Sequence, residues 1–272
     1  MKILVAADME GITGVTTWDH VTPEHPEYAR FRLVMTEEVN AAVRGAFEGG
    51  AGEVIVTDGH ADGLNILVEK LDARARLNTG NGSPLSMVQG INGEISGVIF
   101  VGYHARAGSM NAVLAHTWSN SRVANVWLND ILVGEYGLNA AVCGHFGVPV
   151  IMISGDQTAC AQARELLGPL VTVVVKQATG FFSAECLPPE ITREQVFQAA
   201  RSAVANLARK EGPKAFHLST PVKVCVEFLV PHMADRVMRM PGATRLDGRR
   251  VEFTGKDMLD AYPGFRAAVA LA

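Results

Sequence analysis

Five residues of metal-ligand type stand where apolar runs stop. Ile3 to Ala7 ends at Asp8 and Glu10. Glu53 to Thr57 ends at Asp58 and His60. Val98 to Val101 continues through Gly102 and Tyr103 to His104. A buried carboxylate is costly unless it is paired or bound to a metal. On an extended strand, Asp8 and Glu10, at i and i+2, share one face, roughly 7 Å apart along the backbone. A divalent cation between them turns that repulsion into attraction, and Gly11 allows a sharp turn just after. Mixed imidazole and carboxylate donors suit Zn²⁺ first, with Mn²⁺ or Fe²⁺ as alternatives. Taken singly, each residue has a plainer reading. His60 and His104 fit hydrogen-bonded loop histidines, Asp58 a helix N-cap, and Glu10 an arginine partner. On local sequence alone Glu135 is a first-turn glutamate favoured by the helix dipole, and His116 a satisfied, partly buried histidine.

Three apolar runs can bring these residues together only if they are parallel neighbours in one sheet. Fully apolar segments without alternation predict buried strands at 3–7, 53–57, 98–101, 148–153 and 171–175. Phe31, Met35, Val39, Val43 and Phe47 recur at helical spacing before Gly49-Gly50. Leu138 to Phe146 predicts a second helix. Strands alternating with helices predict an α/β fold, a three-layer α/β/α arrangement on a largely parallel sheet. In such sheets ligands bind beyond the carboxyl ends of the strands, which all lie on one edge. After Pro188-Pro189 the pattern changes, and a domain boundary is expected near residue 185. That gives a catalytic domain over 1–185 and a smaller α+β domain over 186–272. Thr192 and Gln195 predict a capping box, strands are expected at 223–230 and 249–253, and Pro263 is expected to kink or stop a helix that starts near Lys256.

Composition narrows the function classes. The 272 residues are 48% hydrophobic and 19% charged with a net charge of −4, which leaves no basic footprint for nucleic acid or a membrane surface. No signal peptide or membrane-length apolar stretch is read. The four cysteines form no CxxC pair, so reduced thiols in a cytoplasmic protein are expected. Phosphate-binding glycine loops, a G-x-S-x-G elbow and HExxH are all absent.

The chain resembles the zinc-dependent D-aminopeptidases of peptidase family M55. That family opens on S-x-D-x-E-G, and here the stretch is Ala6-Ala7-Asp8-Met9-Glu10-Gly11, with alanine in place of the serine. Further matching blocks are RLVMTEEVNAA (32–42), EVIVTDGH (53–60), GYHARA (102–107), NDILVGEYGLNA (129–140) and FTGKDMLDAY (253–262). The resemblance implies two zinc ions per chain. Asp8 would bridge them, Glu10 and His60 would complete one site, His104 and Glu135 the other, and His116 would be the catalytic histidine. Asp58 is not a family ligand. The implied activity is hydrolysis of an N-terminal, D-configured amino acid from short peptides or amino-acid amides. The implied assembly is a decamer of two stacked five-membered rings. Two rival readings fit the residues: a two-metal phosphoesterase, for which only Arg106 suggests a cationic clamp, and a non-catalytic peptide-binding protein.

Overall fold

In the computed structural model, which describes residues 1–272, strand β1 (Lys2–Ala7) is apolar because both its faces are covered. Ile3, Val5 and Ala7 belong to one core cluster, and Leu4 and Ala6 to another. β1 lies between β2 (Glu53–Asp58) and β4 (Gly97–Tyr103), parallel to both. The full sheet adds β3 (Ala75–Asn78) beside β2, and β7 (Val150–Asp156), β8 (Val171–Gly180) and β9 (Ser183–Cys186) beyond β4. Only β9 is antiparallel. The strand order therefore reverses direction between β1 and β4. That switch point opens the crevice in which α/β proteins bind ligands.

Helices α1 (Tyr28–Glu48) and α4 (Pro189–Ala208) cover one face of this sheet. The other face packs on α2 (Glu135–His145) and a second, antiparallel sheet. This sheet has the order β11 (Thr244–Arg245), β12 (Arg250–Gly255), β10 (Val222–Phe228), β5 (Val123–Leu128), β6 (Ile131–Val133). Helix α3 (Gln157–Leu167) follows β7, while α5 (Pro231–Val237) and α6 (Met258–Leu271) accompany the second sheet. The expected boundary at residue 185 does not separate the two sheets. Residues 123–133 join the second, and α4 returns to the first.

Two local expectations are corrected. Helix α4 starts at Pro189, whose ring presets the helical φ, so Thr192 lies inside the helix. Its hydroxyl lies within hydrogen-bond distance of Pro189 O (3.2 Å) and Thr13 Oγ1 (2.8 Å) instead of capping. Pro263 does not stop α6, which runs on to Leu271. Near the start of a helix the missing N–H removes a single hydrogen bond.

Candidate metal centre

The chain leaves β1 at Ala7, so Asp8 and Glu10 are not on the strand. The pleat expected to align them is replaced by a turn packed against the end of β4. Asp8 N donates to Val101 O at 2.8 Å, and Gly11 N to Gly102 O at 2.7 Å. A Cβ on Gly11 would lie 2.0 Å from Tyr103 O. One on Gly102, whose φ is +74°, would lie 2.3 Å from Asp8 O. Glycine at both positions lets the two backbones touch and points both carboxylates into the crevice.

Behind this turn, Lys176 of β8 is buried. Its Nζ donates to the carbonyls of Glu10 (2.6 Å), Ile12 (2.9 Å) and Val15 (2.7 Å). Three acceptors need three N–H donors, which only the ammonium form has. Burial pushes its pKa down to about 8, against the opposing charges of Asp156 and Glu38, so it remains a cation at neutral pH. Buried Glu38 holds the same segment from α1, accepting from Thr13 N (3.2 Å) and Thr13 Oγ1 (2.8 Å). Neither residue stood out in the sequence. The available signal was a lone lysine inside the apolar run VTVVVKQ. Lys176→Met strands three carbonyls, and the protein is expected to lose about 3 kcal/mol or more. Its melting temperature should fall by roughly 6–12 °C, read by thermal denaturation in chelator so that metal does not contribute.

The other functional side chains are fixed in a similar way. Asp58 does not enter the cluster. Its carboxylate accepts from Asn65 N, Asn65 Nδ2 and Ile66 N, which braces the loop carrying His60. Glu135 opens α2, and its Oε1 accepts from Trp118 N at 2.7 Å. His116 sits between two non-glycine residues with positive φ, Leu114 (51°) and Trp118 (65°). That strained loop is tied down by Val113 N donating to Asp156 Oδ2 and Leu114 N donating to Phe181 O.

Six residues predicted from the sequence converge: Asp8, Glu10, His60, His104, His116 and Glu135. All are buried. Asp8 Oδ1 lies 3.4 Å from His60 Nδ1, and its Oδ2 lies 3.5 Å from His104 Nε2. Glu10 Oε2 is 3.1 Å from His60 Nδ1, and Glu135 Oε1 is 3.1 Å from His104 Nε2. His116 Nε2 faces Glu135 Oε1 at 3.4 Å and Glu10 Oε1 at 3.8 Å, and its ring stacks on His104 with centroids 3.9 Å apart. By distance, His116 is within ligand reach along with His104 and Glu135.

Each histidine is held by a main-chain carbonyl: His60 Nε2 at Val21 O, His104 Nδ1 at Ala105 O, His116 Nδ1 at Leu114 O. When a neutral ring donates there, its other nitrogen turns a lone pair toward the carboxylates, the usual way a metal-binding imidazole is oriented. A lone pair facing a carboxylate needs a positive charge between them. Asp8 Oδ2 and His104 Nε2 have no hydrogen-bond partner although both are buried. Their orphaned state fits a cation held between them.

Protons take that place in part. Burial and the charge of Glu10 push Asp8 up to about 7. For His104, burial opposes protonation, but Glu135 and Asp8 outweigh it and raise the pKa to about 10. His60 is raised despite its burial, through Glu10 and Asp8. Burial and the neighbouring charge of His104 lower His116.

The cluster forms part of the floor of a cleft of about 870 Å³. Arg106, the one cationic clamp read from the sequence, does not line it. Arg122 and Arg266 do. They lie far apart in the chain and outside every matching block, and nothing in their local sequence marks either.

The chain is similar to known proteins along its whole length. A D-aminopeptidase of Bacillus subtilis (strain 168) is 37% identical over 273 residues, spanning 100% of this chain and 98% of its own length. The solved structure of the Zn-dependent D-aminopeptidase DppA from Bacillus subtilis, described as a self-compartmentalizing protease, is similar with a TM-score of 0.93 at 36% identity. The match covers 100% of this chain and 97% of that one. Residues 1–267 match the D-aminopeptidase family as a whole, and the chain belongs to that family, peptidase family M55.

Proposed function

We propose that this chain is a zinc-dependent aminopeptidase that removes an N-terminal D-amino acid from short peptides or amino-acid amides. The observation that carries this reading is Asp8, with one oxygen toward His60 and the other toward His104, the second without a hydrogen bond. Two cations sharing Asp8 would account for this. Glu10 and His60 would hold one, and His104 and Glu135 the other. Family membership and the zinc dependence named for DppA support the assignment. The nitrogen and oxygen donors favour zinc over manganese or iron. Zinc supplies Lewis acidity, which makes water nucleophilic near neutral pH and polarises a carbonyl.

His116 handles the proton in this reading. Its Nδ1–H is committed to Leu114 O at 2.8 Å, so the neutral ring presents a bare Nε2 to the cleft. That atom accepts a proton as the water oxygen bonds to the peptide carbon. It returns the proton to the leaving amine as the C–N bond breaks. A bare nitrogen has no hydrogen to offer an oxyanion, so the general-base role is preferred. The acidic floor suits the substrate's ammonium end.

The test offers zinc-loaded protein D- and L-alanyl amides, D-alanyl peptides and a phosphodiester. The expected result is two zinc ions per chain, turnover of the D-compounds, and none of the phosphodiester. Equal turnover of L-compounds overturns the stereochemical assignment. Tight peptide binding without turnover in metal-replete protein overturns the enzyme.

Zinc uptake is also expected to release protons, because His60 and His104 are held protonated by their carboxylates. Metal competes with those protons, so affinity weakens as pH falls. Calorimetry in buffers of different ionisation enthalpy should count about two or more protons released per chain at neutral pH.

Assembly and location complete this proposal. DppA is a self-compartmentalizing protease, which supports an assembly of several copies here. Light scattering is expected to give ten times the chain mass of 29.1 kDa. The four cysteines are unpaired, which fits a reducing cytoplasm. No helix is long and apolar enough to cross a membrane.

A further inference from the structure

One face of α6 is turned into the cleft. Pro263, Arg266, Ala267 and Ala270 line it at helical spacing, and Arg122 lies on the same lining. Arg266 is half-buried and oriented. Its Nη1 donates to both Ser83 O and Pro84 O at 2.9 Å, while its Nε and Nη2 donate to nothing in the protein. The guanidinium carbon lies 6.0 Å from the centre of the Tyr262 ring. Arg122 makes one long contact, 3.5 Å from Nη1 to Val269 O. Neither arginine has a carboxylate partner. The other charged groups on the lining are Asp8, Glu10, His60, His116 and Glu135 in the cluster, and Asp62, whose Oδ1 is taken by Asn81 Nδ2. The cleft thus combines an acidic, metal-binding floor with a pair of uncompensated guanidinium groups.

A guanidinium with two free N–H groups matches a carboxylate through two parallel hydrogen bonds, which an ammonium cannot imitate. An aminopeptidase substrate needs a free amine at the cut end. Only a short peptide also brings a free carboxylate into the same cleft. We propose that Arg266, assisted by Arg122, binds the C-terminal carboxylate of the substrate and makes the enzyme selective for short peptides with a free C-terminus. This deepens the aminopeptidase reading and rests on it. The small side chains of Ala267 and Ala270 leave the guanidinium accessible, and the two loop carbonyls hold it in place without neutralising it.

The test compares a D-alanyl dipeptide with the same dipeptide amidated at its C-terminus. Wild-type enzyme is expected to favour the free acid by 10-fold or more in kcat/KM, mainly through KM. Arg266→Met should abolish that preference while turnover of the amidated dipeptide and zinc content stay close to wild type, with the melting temperature lowered by loss of the bonds to Ser83 O and Pro84 O. Arg266→Lys keeps the charge and loses the fork, and should restore only part of the preference. Equal wild-type rates on both dipeptides, or a preference that survives in both Arg266→Met and the Arg122→Met, Arg266→Met double variant, overturn the proposal and leave the aminopeptidase standing. Wild-type protein that cleaves neither dipeptide overturns the aminopeptidase reading, and this proposal with it.

Discussion

Asp8→Ala is expected to empty the site of both zinc ions at once and to take turnover with them. The reason lies in where its two oxygens point. Oδ1 faces His60 and Oδ2 faces His104, so a single side chain serves both halves of the cluster. Loss of Glu10 or Glu135 would leave one half its full set of donors. Loss of Asp8 leaves neither half complete. Without the cation the attacking water keeps its ordinary acidity, and hydrolysis falls to background. Misfolding is a poor rival explanation for that outcome. The turn that carries Asp8 is held to the end of β4 by main-chain bonds that the substitution leaves in place. The metal-free variant is expected to fold, which circular dichroism checks. Elemental analysis after zinc loading decides the matter, and two zinc ions per chain in the variant would exclude Asp8 as the shared ligand.

His116→Ala is expected to behave in the opposite way, keeping both metals and losing kcat. General acid–base help of this kind contributes about 10²–10⁴ in rate. The loss should appear in kcat with KM little changed, because the ring acts on the transferring proton. Geometry gives the experiment its force. His116 stands within ligand distance of Glu135 and stacks on His104, so distance alone does not separate a ligand from a base. Zinc content does separate them. A variant that binds one zinc ion in place of two makes His116 a ligand, and one with full activity removes it from the chemistry.

The strands that carry the site were legible in the sequence because parallel strands covered on both faces are written as unbroken apolar runs. β1, β2 and β4 are such runs, and each is followed within two residues by a member of the cluster, Asp8, His60 and His104. The second sheet was harder to see. β5 reads VANVWL, with Asn125 and Trp127 on partly exposed positions, and the short β6 lies across the Asn129-Asp130 turn. Glu135 and His116 looked ordinary in their own surroundings and were raised only by family resemblance. Lys176 was invisible for a different reason. Its partners are main-chain carbonyls more than 160 positions away, and no side-chain pattern records a bond to a backbone. Ala6, where the family pattern has serine, is enclosed in the apolar cluster with Phe100 and Tyr103. The cluster gives alanine a dry, well-packed place, and nothing in the structure explains the exchange.

The clamp of Lys176 and Glu38 on the segment from Glu10 to Val15 has a consequence for the protein's life before it meets a metal. Those bonds are internal and complete without any ion. The segment from Glu10 to Val15 is therefore held by the fold itself, and it is expected to keep its place when the metal is removed. Small metal-dependent domains whose chains are disordered without zinc behave otherwise. A chain made during zinc shortage is expected to keep this turn ordered, so that adding the ion restores activity without a fresh round of folding.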